Sequence, residues 1–184
     1  MSALEACGLD LSLTATGVAW PDGTSETITT KAKTPMPKRL AHIRDYVHAL
    51  WLNKCCHRTF AIVEDLPFTR NNAAGQLGMV HGIVRVALDE LIDRGLCAGV
   101  VLVVPGCLKK YATGTGNANK QQMLAEAIRR LGYAGADDNQ VDALWLRQMG
   151  LAHYAPELAV PVPVKHLESL AKVPWAELKE GLRV

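Results

Sequence analysis

The chain has 184 residues, 49% of them apolar and 21% charged, with a formal net charge of +2, which fits one globular domain and excludes a disordered or fibrous chain. No apolar run approaches the roughly 20 residues of a bilayer span, and no basic, apolar leader precedes the first strand, so neither a membrane nor a secretory route is expected. Five cysteines without CxxC spacing fit free thiols in a reducing cytoplasm, not a disulfide framework or a zinc site.

Cys7, Leu9, Leu11 and Leu13 alternate with Gly8, Asp10 and Ser12, the period of a half-buried strand. A turn near 14–17 leads to a second strand at 18–20, and Pro21-Asp22-Gly23 turns the chain into a third at 26–30. Pro37 suits the first turn of a helix in which Leu40, Ile43, Val47, Leu50 and Trp51 share a face. Residues 60–63 form a short buried-type strand ending at Glu64, and a long helix runs from an N-cap at Asn71 or Asn72 to Gly95. Another apolar strand at 100–104 is closed by Pro105-Gly106 and followed by a glycine-bearing loop at 113–116. Asn117 or Asn119 then caps a helix ending near Gly132, and a last helix starts at Asp137 or Asp138 and reaches about Met149. The order β-β-β-α-β-α-β-α-α predicts a mixed five-stranded α/β sheet with helices on both faces, spanning residues 1–153. Residues 154–184 hold four of the nine prolines and read as an extended arm with a short terminal helix at 174–182.

Charge is unevenly spread. Residues 31–58 carry seven lysines and arginines against Asp45 alone, and residues 105–130 carry five against Glu126 alone. These segments are either solvated helix faces or surfaces that hold a polyanion near carboxylates. Several acids sit where a core would not want them: Asp10 within the first strand, Glu64 directly after an apolar run, and Asp138 and Asp142 four apart on one helix. A desolvated carboxylate is costly unless it is paired or coordinates a cation, and oxygen donors from separate segments suit Mg²⁺ or Mn²⁺. Two such ions can activate a water and stabilise the leaving oxygen of a phosphodiester displacement.

Gly75, Gly78 and Gly82 recur along the long helix at a cost to helix stability. Either internal helix–sheet packing or close approach of a second copy would offset that cost. His81 on the same helix reads as a core or interface residue, and 113–116 lacks the Gly-Lys-Ser/Thr of a nucleotide loop.

Taken in order, Gly8-Leu9-Asp10-Leu11-Ser12 with Thr16-Gly17, Ala61-Ile62-Val63-Glu64, Asn71-Asn72 with Leu77-Gly78-Met79-Val80-His81-Gly82, Lys109 with residues 114–120, and Asp142-Ala143-Leu144 resemble one set of motifs. They are those of the RuvC Holliday-junction resolvases of the RNase H-like superfamily. The resemblance covers about residues 5–150, and the length, the tail and the run 137–142 look most like bacteriophage versions. It implies an RNase H-like fold and a Mg²⁺- or Mn²⁺-dependent endodeoxyribonuclease with two ions per site. The implied substrate is branched DNA, four-way junctions with forks and flaps, and the implied assembly is a homodimer in the cytoplasm of a bacterium or an infected host cell.

Carried onto this chain, the resemblance makes Asp10, Glu64 and Asp142 metal ligands and Lys109 and Lys120 phosphate contacts, with Lys120 offsetting transition-state charge. The family places its fourth ligand three residues before the last Asp, where this chain has Asn139. Asp138, at i,i+4 from Asp142, is assigned that role instead. Phe68 is the implied wedge into the base stack, and Lys110, Lys38 and Arg39 extend the expected DNA footprint. The competing expectation is a non-catalytic junction-binding or regulatory protein on the same fold, with Asn139 marking a lost site.

Overall fold

The computed structural model describes residues 3–66 and 72–177. It opens with the expected meander: β1 (Glu5–Asp10) pairs antiparallel with β2 (Ala15–Ala19), and β2 with β3 (Ser25–Thr29). Gly23, at φ 89°, turns β2 into β3, and its N–H donates to the Trp20 carbonyl at 3.0 Å. β4 (Thr59–Glu64) adds parallel to the free side of β1, and β5 (Gly99–Val103) parallel to β4, giving the order β3-β2-β1-β4-β5.

α1 (Met36–Lys54) and α2 (Asn72–Asp93) cover one face of the sheet, where Ile43, Val47, Val84 and Leu88 pack on Cys7, Leu9, Ala61 and Val63. α3 (Pro105–Thr113), α4 (Lys120–Leu131) and α5 (Asp138–Tyr154) cover the other, with Leu108, Met123, Trp145 and Leu146 on Ala6, Phe60, Ile62 and Val101. β1 is therefore buried on both faces, not half-buried as its alternating pattern implied. The polar alternates in that pattern are mostly small: Gly8 lies under α5, and only Asp10 at the strand end carries charge.

Two further differences from the expected order have local causes. Pro105-Gly106 does not close β5 with a turn, because Pro105 occupies the first turn of α3, where its missing N–H costs no hydrogen bond. Leu108, Tyr111 and Ala112 then bury that helix, and Gly114 ends it at φ 84°. The segment after α5 is not an extended arm. Two 3₁₀ turns (Pro156–Leu158 and Leu170–Lys172) and the single turn α6 (Val164–Leu167) fold back on the α3–α5 layer. Val160 N–H donates to Gln148 Oε1 at 3.0 Å, His166 Nδ1 lies 2.8 Å from the Tyr111 carbonyl, and Trp175 stacks on His153 at 4.2 Å. Residues 174–177 are irregular, and the rest of the expected terminal helix lies outside the described residues. All five cysteines are free thiols, and no helix among the described residues is long and apolar enough to cross a membrane.

α5 sits unusually close to the sheet. A Cβ on Gly8 would stand 1.9 Å from the Ala143 carbonyl oxygen, and one on Gly17 would stand 2.0 Å from that of Asn139. Glycine at these two strand positions lets the helix backbone touch the strand backbone, which sets the height of the α5 N-terminus over the ends of β1 and β2. Gly8→Ala should therefore lower the stability measured by urea unfolding by about 1–3 kcal/mol or more, as overpacking does. An unchanged midpoint would contradict this seating.

Candidate active site

Leu9 pairs with Val63 in the parallel register, so Asp10 and Glu64 follow as neighbouring last residues of β1 and β4. Side chains alternate along a strand. Asp10 thus shares the face of Ala6 and Gly8, Glu64 that of Phe60 and Ile62, and both acids project toward the helix layer that holds α5. The start of α5 is pinned above them. Asp137 caps the helix, accepting from Asn139 N–H at 3.0 Å and Asn139 Nδ2 at 2.9 Å, while Thr27 Oγ1 on β3 donates to its other oxygen at 2.6 Å. Burial pushes the Asp137 carboxyl up, but these hydrogen bonds outweigh it and hold the group below the usual carboxylate range. Asn139 is thereby used up, with its backbone against Gly17 and its amide on the cap. Asp138 and Asp142, round the helix from that stripe, face the cleft.

The cleft holds about 680 Å³. Among the described residues lining it, five are acids (Asp10, Glu64, Asp65, Asp138, Asp142) and two are lysines (Lys109 on α3, Lys120 at the start of α4). Burial, then the Glu64 and Asp142 carboxylates, push Asp10 well above its ordinary value, and Asp10 shares a hydrogen bond with Glu64. Burial and Asp142 lift Glu64 to about 7, against the opposing pull of the Asp10 hydrogen bond and Lys109. Asp142 rises to about 6 through burial and Asp138, with Lys109 and Lys120 working the other way. Lys120 bonds directly to Asp138, which raises the lysine against the opposing effect of burial.

Among the described residues, no group of three or more His, Cys, Asp or Glu side chains is already set to hold a metal ion. Asp10 and Glu64 are hydrogen-bonded to each other, and Asp138 to Lys120. The donors are nonetheless all oxygen and their charge exceeds that of the two lysines, so Asp10, Glu64, Asp138 and Asp142 are the residues able to receive a hard divalent cation.

The other residues singled out in the sequence separate. Lys109 lines the cleft, but Lys110, about 100° further round α3 at 3.6 residues per turn, points away and bonds Glu168 Oε2 at 2.8 Å. Lys38 is exposed on α1, whereas Arg39 is buried. The Arg39 guanidinium donates to Thr30 Oγ1 at 2.8 Å, Thr14 Oγ1 at 3.1 Å and the Leu13 carbonyl at 3.2 Å. It ties α1 to the loop after β1 and does not belong to a surface footprint. Phe68 lies outside the described residues. Sequence reasoning passed over Asp65 and Gln76, used Leu77 only within a helix motif, and assigned His81 to a core or interface; all four line the cleft. Leu77 and His81 are i and i+4 on α2, a spacing that indicates a shared face but not what the face meets.

No protein-family model matches this chain, and no curated protein matches it. Solved structures do. RuvC of Thermus thermophilus is similar at 22% identity and a TM-score of 0.63, over 85% of this chain and 98% of that one. The same figures hold for T. thermophilus RuvC in complex with a Holliday junction substrate. A weaker likeness, with a TM-score of 0.47 and 14% identity over 84% of this chain and 85% of that one, is to the yeast mitochondrial Holliday junction resolvase. The chain thus has the RNase H-like fold of RuvC.

The raised carboxyls make a pH signature. An Asp titrates near 3.9 when unfolded and Asp142 near 6 when folded, so ionising it costs stability as pH rises through that window. Asp142→Asn should raise the melting temperature of the metal-free protein at pH 8 by a few degrees, at about 2–4 °C per kcal/mol for a chain of this size. The gain should vanish below about pH 4, where the carboxyl is protonated in both states. A variant no more stable than its parent at pH 8 would contradict the charge balance described for the cleft.

Proposed function

We propose that this protein is a divalent-metal-dependent endonuclease that nicks branched DNA, with four-way junctions as its preferred substrate and forks and flaps as related ones. The observation that carries this reading is the meeting of Asp10, Glu64, Asp138 and Asp142 with Lys109 and Lys120 in one cleft at the strand ends. The RuvC-like fold supports it. The four carboxylates hold Mg²⁺ or Mn²⁺, two ions per site. When bound, such ions activate a water and neutralise charge at the phosphodiester. Lys120 leaves Asp138 for a non-bridging phosphate oxygen, and Lys109, which also lines the cleft, fixes the same strand. Lys38 and its exposed basic neighbours take more distant phosphates, so binding weakens steeply with salt. Free thiols fit work in a reducing cytoplasm.

Asp10→Asn should reduce nicking of a synthetic junction at least about a hundredfold, beyond the loss expected for an outer-shell group, and leave junction binding intact or tighter. Unimpaired nicking would sink the assignment. Binding without nicking by the wild type, at any Mg²⁺ or Mn²⁺ level, would favour the non-catalytic junction-binding reading.

A second copy of the chain completes the proposal. A Cβ built on Gly75, Gly78 or Gly82 meets nothing within 4 Å among the described residues, so no packing on them calls for glycine there. On the same side of α2, Met79 and Val86 are 45% and 55% exposed. An isologous contact on this face would set two sites on opposed strands of a near-two-fold junction. Val86→Glu should convert a dimer to a monomer in analytical ultracentrifugation. A wild-type protein that stays monomeric at micromolar concentration would refute the contact.

A further inference from the structure

The walls of the cleft differ in kind. Strand ends and α5 bring carboxylates, α3 and α4 bring Lys109 and Lys120, and the third wall is α2, which contributes only Gln76, Leu77 and His81 among the described residues. That wall carries no charged side chain facing the site, yet it is not inert. His81 is only 4% exposed, and its Nδ1 is buried without a hydrogen-bond partner among the described residues. A buried polar atom of this sort in a native site needs a reason, and a group that arrives with a ligand is one. Burial lowers the imidazole pKa, with Arg85 adding to the effect and Asp65 opposing it. At neutral pH the ring is therefore uncharged and offers one donor and one acceptor nitrogen. Gln76, exposed at the rim, carries an amide with the same dual capacity, and Leu77 lies between the two in the lining.

A DNA strand crossing this cleft must turn a phosphate toward the lysines and acids. The sugar and base on either side of that phosphate then lean against the uncharged wall. Phosphate contacts carry no sequence information, whereas amide and imidazole groups at base edges do. The geometry points to α2 as the reading wall: His81 and Gln76 hydrogen-bond the bases beside the cut phosphate, Leu77 packs on the sugar, and together they decide at which bases the protein cuts. This assignment rests on the nuclease reading above.

The test is a junction library with the bases around the cut randomised, incubated with Mg²⁺ or Mn²⁺ and wild-type, His81→Gln or Gln76→Ala protein, the product ends being sequenced. Enrichment of the preferred base should fall about tenfold at one position for His81→Gln, the size of one base-edge contact. Junction affinity should stay within about threefold, because phosphates dominate it. Gln76 is exposed, so Gln76→Ala keeps the test open should His81→Gln fail to fold. A base profile unchanged in the folded variants overturns the proposal. A readout free of cleavage separates this from a failure of the nuclease reading: the ¹⁵N imidazole resonances of His81, assigned by their loss in His81→Gln, should shift when junction DNA is added to Asp10→Asn protein. If the wild type nicks no junction, the nuclease reading fails and the resonance alone decides; absence of a shift overturns the assignment.

Discussion

Carboxylates brought together from separate stretches of chain repel one another, and the arrangement of this protein follows from containing that repulsion. Asp10, Glu64, Asp138 and Asp142 come from β1, β4 and α5; Glu64, Asp142 and Asp138 make Asp10 harder to ionise, Asp142 does the same to Glu64, and Asp138 to Asp142. The molecule relieves the strain in two small ways, by a hydrogen bond between Asp10 and Glu64 and by an ion pair from Lys120 to Asp138. Neither removes it, because the acids still outnumber the lysines along the cleft. Packing alone gives no reason to collect half-buried acids, since a desolvated charge without a full partner costs stability. Strongly displaced pKa values in a cleft are a mark of function.

Much of the surrounding fold holds that cleft in shape. Gly8 and Gly17 let α5 rest on the sheet, and Asp137, bridged by Thr27, fixes where the helix begins, so Asp142 reaches the end of β1. Asn119 closes a capping box with Gln122 that starts α4 with Lys120 at its first position. On the outer side, the folded-back segment clasps α3 through His166 and Glu168, supporting the helix that carries Lys109. Arg39 does the same for the loop after β1. Two cations that the sequence offered as DNA contacts, Lys110 and Arg39, are thus held in structural bonds.

The sheet was legible because its signals are local: period-two runs, the Pro21–Gly23 turn and strands bounded by polar residues predict each strand within a few positions. The acids were legible as anomalies, carboxylates adjoining apolar runs. What sequence could not resolve was rotation. Lys109 and Lys110 are adjacent and equally basic, and only packing of Leu108, Tyr111 and Ala112 decides which one faces the cleft. Likewise, His81 has the burial expected of a core histidine, and its place beside the acids follows from how α2 crosses the sheet. Pro105 misled because a proline that ends a strand and one that starts a helix look alike until the next buried side chains are seen.

In the reading proposed above, these oxygens receive divalent ions, which displaces protons from the raised carboxyls. Calorimetric titration of Mn²⁺ into the protein near pH 6.5, repeated in buffers of different ionisation enthalpy, counts the protons released on binding. Saturable binding should expel about one proton, because a ligating carboxyl must be deprotonated, and Glu64→Gln should lose both. Heat independent of the buffer, or no binding at millimolar Mn²⁺, would contradict that reading.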